Sequence, residues 1–158
     1  MMSNVKPIPD GMRGATPYLC CRDAARALEF YARAFGAVET MRLAEPSGRI
    51  GHAEFKIGEA VLMLSDEYPE MNIRSPQALG GTPTAIHLYV EDVDAFCRRA
   101  VEAGATLNHP VADQFYGDRS GQLHDPFGHR WSIATHVADV SIEEMQRRYD
   151  DMMKGGQS

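Results

Sequence analysis

His52 and Glu54 are the two residues of this chain whose types and spacing point most directly to chemistry. They stand two positions apart in an alternating stretch, so on a β-strand both side chains leave the same face of the sheet. A histidine next to a carboxylate can serve as a general base that the carboxylate orients. Nitrogen and carboxylate donors also suit zinc, iron or nickel. Both chemistries stay open, because the sequence does not show whether the two side chains touch.

The elements that must position such residues are easiest to recognise at residues 125–128, which read DPFG. Proline presets φ for a turn, and glycine takes positive φ without steric cost. After the turn, Trp131, Ile133 and Thr135 alternate with other residues at the period of a strand. We therefore expect a β-hairpin with one apolar face. Since a lone hairpin is marginally stable in water, this one must belong to a larger sheet.

The hairpin has an earlier copy in the same chain. Aligning Gly58 with Gly128 matches residues 50–66 to the later hairpin, and aligning Asp23 with Asp92 matches a strand and a helix before each copy. An aspartate at the start of each helix is a typical N-cap, and a glycine follows the end of each helix. Each repeat therefore contains a strand, a helix and three strands, which indicates a tandem architecture.

The expected fold is α+β, with two tandem βαβββ modules followed by a C-terminal helix. We assign the first module to residues 14–66, a linker or lid to 67–83, the second module to 84–137, and the C-terminal helix and tail to 138–158. The linker carries three prolines and a Gly-Gly pair, so we expect no helix in it. The predicted strands are 15–22, 38–44, 50–57, 60–65, 84–90, 106–112, 116–124 and 129–136, and the predicted helices are 24–35, 93–103 and 142–153.

Three segments resemble the vicinal oxygen chelate superfamily of glyoxalase I, bleomycin-resistance proteins and extradiol dioxygenases. They are the turn DPFG, LEFY at 28–31 and VEDVDA at 90–95. Further blocks at 16–19, 52–54 and 62–66 look most like the PhnB-like branch. The resemblance covers roughly residues 14 to 137. It implies that the mixed sheets of the two modules form a cup with the helices outside, and that the chain forms a homodimer.

Within such a cup, period two places several aromatic and polar side chains on the inner face. Flat aromatic walls with a few directional polar groups are typical of pockets for small planar ligands. Each tyrosine could instead pack in the core with its hydroxyl satisfied. The residues that we expect to bind a ligand are Tyr18, His52, Glu54, His87, Tyr89, Tyr116, Gln122 and His124.

Metal-dependent relatives hold a divalent ion with histidine and glutamate at four matched places, which by the repeat alignment hold Thr16, Leu62, Ala85 and Ser132 here. Hydroxyls are weak ligands for such ions, and alanine and leucine offer none. The resemblance therefore implies that the usual metal site is vacated, and we expect no resident metal or cofactor. The alternative is a displaced divalent site that uses His52, Glu54, His87 and His124.

Two main functions follow from these observations. The first is a binding protein for a small planar or aromatic compound, as in bleomycin-resistance relatives. The second is an enzyme of the lyase or dioxygenase type that uses the displaced metal or His/Glu acid–base catalysis. A structural or interaction module is a third class, which the polar inner face disfavours.

Two further features lie outside this set. Asp118 and Arg119, at the start of a strand, suggest a structural ion pair or turn, or else a group that binds an anion. The last helix starts with a capping box at Ser141. Its apolar stripe could pack on its own domain, or bind a ligand or a partner subunit, and contains Ile142, Met145, Tyr149 and Met152.

Composition limits the remaining classes of function. The 158 residues carry a net charge of −6, which argues against nucleic acid because phosphate binding needs a basic surface. No apolar run approaches the ~20 residues that span a bilayer, and the N-terminus lacks the apolar core of a signal peptide. Cys20, Cys21 and Cys97 lack the spacing of a metal or redox pair. We therefore expect a cytoplasmic protein with reduced thiols and with no nucleic acid or membrane partner.

Overall fold

The computed structural model describes residues 4–156. The first three residues and the last two residues of the predicted C-terminal tail lie outside this described part. The backbone divides into two compact units, Met1–Thr82 and Pro83–Ser158. In chain order, each unit contains one strand, one helix and then three strands.

The elements follow the predicted order closely. The first unit contains β1 (Tyr18–Cys21), α1 (Ala24–Phe35), β2 (Val38–Ala44), β3 (Ile50–Ile57), β4 (Ala60–Asp66) and a short helix α2 (Pro76–Leu79). The second unit contains β5 (Ala85–Tyr89), α3 (Val93–Ala103), β6 (Thr106–Asp113), β7 (Asp118–His124), β8 (Arg130–His136) and the C-terminal helix α4 (Ile142–Gly155).

The two units share one sheet topology. The strand order is β1-β4-β3-β2 in the first unit and β5-β8-β7-β6 in the second. The first strand of each sheet runs parallel to its neighbour, and the other pairs are antiparallel. Two four-stranded mixed sheets with a C-terminal helix confirm the predicted α+β fold of tandem βαβββ modules. The cup that the resemblance implies stays a prediction.

Side-chain caps explain where the module helices begin and end. The Asp23 carboxylate accepts a hydrogen bond from Arg26 N at 3.2 Å, and the Asp92 carboxylate accepts one from Ala95 N at 3.0 Å. These bonds satisfy backbone donors that have no partner within the helix. Gly36 follows α1 with φ of 68°, a conformation that favours glycine. The predicted starts at Asp23 and Asp92 are confirmed.

Aromatic packing attaches α1 to one face of the first sheet. The Tyr31 ring stacks on Phe55 of β3 with ring centroids 5.3 Å apart, and on Phe35 with centroids 5.7 Å apart. All three side chains are buried. Leu19 and Cys21 of β1 are buried as well, whereas Tyr18 is 54% exposed. The strands therefore alternate as predicted, and the polar candidates occupy the face away from the helix.

Asp125 stabilises the predicted turn of the second unit. Its Oδ1 accepts hydrogen bonds from Phe127 N at 2.8 Å and His129 N at 3.0 Å, and its Oδ2 accepts from Trp131 Nε1 at 2.9 Å. Gly128 has φ of 91°, as the turn chemistry requires. The hairpin of β7 and β8 is confirmed, and its Trp131 is 1% exposed within the core of the unit.

The metal-ligand place that the sequence analysis assigned to Leu62 was wrong by one residue. Two residues join β3 to β4, but five join β7 to β8, so counting from the turn glycines shifts the register. Met63 lies opposite Tyr18, as Ser132 lies opposite His87. Met63 is therefore the counterpart of Ser132, while Leu62 is buried on the helix side of the sheet.

Residues 67–83 are more regular than predicted, and the expectation of no helix there was wrong. A 3₁₀ turn spans Pro69–Met71, and α2 spans Pro76–Leu79. Both start with proline, which fits the first helical position because its missing N–H needs no partner there. The Ser75 hydroxyl caps α2 by accepting a hydrogen bond from Ala78 N.

The C-terminal helix α4 begins at the predicted capping box, where the Ser141 hydroxyl accepts from Glu144 N at 3.2 Å. Its middle contacts its own unit, because the Arg148 guanidinium donates to the Phe115 carbonyl oxygen at 2.8 Å. The first turn of α4 does not pack against the unit in the same way, since Ile142 is 81% exposed. No helix of the described residues combines the length and apolar character needed to cross a membrane.

Candidate ligand-binding site

Three predicted site residues meet on the open face of the first sheet. The Tyr18 hydroxyl lies 2.6 Å from His52 Nδ1, and His52 Nε2 lies 3.2 Å from Glu54 Oε1. The sheet order β1-β4-β3 places β4 between Tyr18 and His52, so the phenol crosses one strand to reach the imidazole. The result is a continuous hydrogen-bonded chain of phenol, imidazole and carboxylate, which we call the Tyr18–His52–Glu54 relay.

The direction of each hydrogen bond in the relay follows from the groups involved. An ionised carboxylate only accepts, so the Nε2–H of His52 donates to Glu54. In a neutral imidazole the other nitrogen then has a lone pair, and His52 Nδ1 accepts from the Tyr18 hydroxyl. With His52 in this neutral form, the Tyr18 hydrogen is committed to His52. Its oxygen still has lone pairs that a neighbouring molecule can use.

A pocket of about 620 Å³ lies beside the relay, within the first unit. One side is formed by β1, β3 and β4, and the other by the segment that follows β4. The residues that line it are Tyr18, Leu19, Cys20, Gly51, Ser65, Tyr68, Met71 and Ile73. Tyr68, Met71 and Ile73 belong to the predicted linker or lid, so this part of the segment forms a wall of the pocket.

The segment is fixed to its own unit by polar contacts. Tyr68 and Ile73 exchange backbone hydrogen bonds of 2.9 and 3.0 Å, which close the 3₁₀ turn into a small loop. The Glu67 carboxylate accepts from the Ser75 backbone N–H at 3.2 Å and from its hydroxyl. Ser75 is fully buried. The Arg22 guanidinium lies 3.5 Å from Glu67. We call residues 67–80 the flap.

The hydroxyl and thiol groups of the pocket keep their protons at neutral pH. Burial, and then the charge of Glu54, raise the pKa of the Tyr18 phenol. Burial and the Glu67 and Asp66 carboxylates raise the pKa of the Cys20 thiol to about 11. The Tyr68 pKa is raised by partial burial and then by its hydrogen bond to Glu45. The pocket wall is therefore neutral.

Other predicted site residues lie on the second sheet, where His87 and Tyr89 contact each other. The ring of His87 meets Tyr89 edge to face with centroids 4.9 Å apart, and His87 Nδ1 lies 2.9 Å from Ser132 Oγ. The Tyr89 hydroxyl donates to Asp118 Oδ2 at 2.6 Å. Asp118 also lies 2.8 Å from Nδ1 of His136. These residues form a second polar cluster.

Asp118 is nearly buried and has a different partner from the one predicted. It does not pair with Arg119, whose guanidinium instead contacts Asp94 at 2.8 Å and Asp113 at 3.1 Å. Burial disfavours the Asp118 charge, but hydrogen bonds from Tyr89 and His136 outweigh it and lower the pKa of Asp118. Extending the period-two pattern of β7 from Gln122 back to Asp118 would have found this residue.

His136 received no role from the sequence, yet it joins two carboxylates. Its Nε2 lies 2.8 Å from Asp139 and its Nδ1 lies 2.8 Å from Asp118. Hydrogen bonds to Asp139 and then Asp118 raise the pKa of His136. The alternation that places Ser132 on the polar face of β8 also places His136 there, and this pattern could have identified His136 from the sequence.

The remaining predicted site residues have other neighbours. Gln122 lies opposite Ser132 in the sheet, and the imidazole of His124 hydrogen-bonds to Asn108. The half-buried ring of Tyr116 packs edge-on against Phe115, with centroids 5.1 Å apart. Their predicted roles in ligand binding stay predictions.

The residues at the four places used by metal-dependent relatives do not fit a divalent ion. With the corrected register these places hold Thr16, Met63, Ala85 and Ser132. They offer two hydroxyls and a thioether, but no imidazole or carboxylate. Within residues 4–156, no three His, Cys, Asp or Glu side chains converge in a way that could hold a metal ion.

Comparison with known proteins now identifies the family. The model of the Glyoxalase/Bleomycin resistance protein/Dioxygenase superfamily matches residues 15–133. The chain belongs to this superfamily. The predicted resemblance is thereby confirmed. Uncharacterised proteins of Mycobacterium bovis and Mycobacterium tuberculosis are each 44% identical to this superfamily member over 149 residues. The match covers 92% of this chain, 94% of the M. bovis protein and 84% of the M. tuberculosis protein.

Several solved structures share the fold of this chain. TioX from Micromonospora sp. ML1 is 26% identical with a TM-score of 0.61, covering 81% of this chain and 99% of TioX. A PhnB protein from Bacillus cereus is 18% identical with a TM-score of 0.61, covering 78% and 99%. The fosfomycin resistance protein FosX from Listeria monocytogenes, solved with Mn(II) and sulfate, is 19% identical with a TM-score of 0.60, covering 86% and 96%.

Proposed function

We propose that this protein binds a small planar or aromatic compound in the pocket between the first sheet and the flap. The observation that carries the proposal is the pocket itself. Its volume of about 620 Å³ falls within the roughly 300–1,000 Å³ of small-molecule sites. This volume suits a ligand of one or two fused rings rather than a polymer.

The chemistry of the lining supports an apolar, flat ligand. Met71 and Ile73 supply aliphatic surface, and the rings of Tyr18 and Tyr68 supply flat faces. Aromatic rings favour offset or edge-to-face contact with other rings. Polar atoms are few and belong to side chains with fixed partners, as expected of a site that orients a small molecule.

Titration calorimetry with 2-naphthol, a bicyclic planar probe, tests the proposal. A methyl group at Gly51 would contact the Tyr68 hydroxyl at 3.4 Å, so Gly51→Ala narrows the pocket without a backbone clash. We expect this variant to bind the probe roughly 5-fold or more weakly than the wild type. Gly155→Ala, which adds the same group in open space in the second unit, should bind like the wild type. Absence of binding, or equal binding by both variants, would contradict the proposal.

A second function, acid–base catalysis without a metal, is favoured by the Tyr18–His52–Glu54 relay. A bound ketone can lose a proton from its α-carbon to the Tyr18 oxygen while the Tyr18 proton passes to His52 Nδ1. The Glu54 carboxylate, 3.2 Å from Nε2, stabilises the imidazolium that forms. The reverse transfer returns a proton to carbon. The wild type should speed deuterium exchange into the methyl group of 2-acetonaphthone above the rate in buffer, and His52→Gln should not. A wild-type exchange rate equal to that of buffer or of His52→Gln would exclude this function.

We also infer that the four places used by metal-dependent relatives stay without a catalytic metal in this chain. The support is the side-chain set Thr16, Met63, Ala85 and Ser132, which lacks the preferred ligands. Elemental analysis of protein purified without chelator should find less than stoichiometric zinc, iron, nickel or manganese. Stoichiometric metal lost on changing His87 to Ala would support the displaced site instead.

The superfamily fold and the free cysteines support two further parts of the proposal, a homodimer and a cytoplasmic location. Cys20, Cys21 and Cys97 are not joined by disulfides within the described residues, and reduced thiols suit a reducing compartment. Native mass spectrometry should give twice the chain mass. A single-chain mass at micromolar concentration would contradict the dimer.

A further inference from the structure

The polar groups of the pocket wall share one property, which is that each donates its own hydrogen to a protein acceptor. The Tyr68 hydroxyl donates to Glu45 at 3.1 Å. The Ser65 hydroxyl donates to the Asp66 carbonyl oxygen at 3.0 Å, and the Cys20 thiol points to the same oxygen at 3.7 Å. When His52 is neutral and its Nε2–H donates to Glu54, the Tyr18 hydroxyl donates to His52 Nδ1 at 2.6 Å.

Four lining side chains therefore present lone pairs, and not hydrogens, to a molecule in the pocket. Ser65 is 3% exposed, and thiol sulfur is a weak acceptor. Tyr18 is 54% exposed, and phenolic oxygen is a good acceptor when its hydrogen is engaged elsewhere. The Tyr68 oxygen is a phenolic acceptor too, but Tyr68 is half-buried, so Tyr18 is the acceptor that is most accessible to a ligand.

Carboxylates lie close to these side chains. Glu45 accepts from Tyr68, Glu54 ends the relay, and the charges of Glu67 and Asp66 help to raise the pKa of the Cys20 thiol. The nearby guanidinium of Arg49, 3.8 Å above the Tyr68 ring, is already paired with Glu45 and Glu70. An anionic ligand would meet this negative field, so the field disfavours it.

From this arrangement we propose that the pocket selects a planar ligand that carries an O–H or N–H donor and no negative charge, and that the Tyr18 oxygen accepts this hydrogen bond. This inference rests on the proposed function of the pocket and names its ligand class. A phenol or an N–H heteroaromatic fits the class. The corresponding methyl ether and carboxylate do not, because the ether lacks the donor and the carboxylate adds charge.

Binding of three matched probes to the wild type tests the proposal, at a pH above the ordinary range of histidine titration. We expect 2-naphthol to bind roughly 3- to 10-fold more tightly than 2-methoxynaphthalene, the span of one net hydrogen bond. We expect 2-naphthoate to bind more weakly than both. If none of the three binds, the proposed function fails together with the inference. If naphthol and its methyl ether bind equally, the inference alone is overturned.

Two variants then test the role of Tyr18. Tyr18→Phe keeps the ring but removes the acceptor, so the preference for naphthol over its ether should shrink to near unity. The control Tyr149→Phe, in α4 and outside the pocket, should keep the wild-type ratio. An unchanged ratio in Tyr18→Phe would overturn the assignment of the acceptor.

Replacing the partner of Tyr18 gives the opposite expectation. His52→Leu frees the Tyr18 hydrogen, so the hydroxyl can now donate into the pocket. Binding of 2-acetonaphthone, which only accepts, should rise relative to 2-naphthol by roughly 3-fold or more. A relative affinity that stays at the wild-type value, in a variant with an unchanged circular dichroism spectrum, would contradict the direction assigned to the Tyr18–His52 hydrogen bond.

Discussion

The Tyr18 hydroxyl reaches across β4 to His52, whose Nδ1 lies 2.6 Å away. This contact joins β1 to β3 through their side chains. The strand between them, β4, carries Met63, which lies opposite Tyr18 on one side and opposite Glu54 on the other. Tyr18 is 54% exposed, so water can replace either group as a hydrogen-bond partner. The contact therefore orients a polar group at the pocket more than it stabilises the fold.

Replacing Tyr18 with Phe should consequently cost little stability. We expect the free energy of unfolding to fall by less than about 1 kcal/mol, because His52 is partly exposed and its nitrogen can regain a partner from water. Urea denaturation of the wild type and the variant measures the difference. A loss above about 2 kcal/mol would mean that the relay is structural and would weaken its assignment to ligand binding.

The flap should open when its buried cap is removed. Ser75 caps α2 and bonds to Glu67, so Ser75→Ala should raise amide exchange across residues 67–80 and weaken binding of 2-naphthol. Loss of an N-cap costs roughly 1 kcal/mol. Ser141→Ala removes the matching cap of α4 and should raise exchange only in that helix. Unchanged exchange in residues 67–80 of Ser75→Ala would show that other contacts hold the flap.

Local sequence chemistry predicted the elements well, because caps and turns depend on neighbouring residues. The starts of α1 and α3 at Asp23 and Asp92, and the turn at Asp125, are decided by hydrogen bonds within four residues of each aspartate. The alternation of strands likewise placed Tyr18 on the polar face. These features need no knowledge of the tertiary structure.

The candidate site was only partly predictable, since its contacts depend on strand order and loop length. The spacing of His52 and Glu54 predicted that they share one face and left their contact open, and the link from Tyr18 requires β4 to lie between β1 and β3. Met63 was not recognised as the counterpart of Ser132 because the two hairpin loops differ in length. Tyr68 was missed because nothing local shows that the flap returns over the sheet.

Removing the buried Asp118 carboxylate should destabilise the second unit. The Asp118 carboxylate accepts a hydrogen bond from the Tyr89 hydroxyl, and its Oδ1 lies 2.8 Å from His136 Nδ1. Asp118→Ala removes a buried acceptor, but water can reach the hydroxyl of Tyr89, which is 62% exposed, so we expect a loss of only about 1 kcal/mol in the free energy of unfolding. Binding of 2-naphthol should persist in folded protein, because Asp118 lies outside the pocket lining. Loss of that binding in a fully folded variant would contradict the location of the site.

The pH dependence of stability should carry the signature of His136. Its pKa is raised above the ordinary 6.5 in the folded chain, so its stabilising effect is complete below 6.5 and is lost as pH rises through the folded-state value. The Asp118 pKa is lowered from 3.8, so its effect is present above 3.8 and is lost as pH falls through the folded-state value. The pair is therefore most stabilising between these limits.

Urea denaturation over a pH series measures this dependence. The wild type should lose stability as pH rises from 6 to 9, and His136→Gln should lose less over the same range. Asp139→Asn removes one exposed partner of His136 and should give an intermediate slope. Equal slopes in the wild type and His136→Gln would show that His136 does not contribute.

The Cys20 thiol should react slowly although it lines a pocket. A pKa raised from 9.0 to about 11 lowers its thiolate fraction at neutral pH roughly 100-fold, and the thiolate is the nucleophile. Iodoacetamide labelling followed by peptide mass analysis should show slow modification of Cys20 in the native protein and rapid modification in urea. Saturating 2-naphthol should slow the native reaction further. Native labelling as fast as in urea would contradict the neutral pocket wall.

The most direct test of ligand binding beneath the flap is a backbone amide NMR titration of the wild type with 2-naphthol. We predict saturable shifts that concentrate on residues 18–20, 51, 65 and 68–73, and that diminish in Gly51→Ala. Shifts that concentrate instead on the second unit, or no saturable shifts at all, would contradict the account.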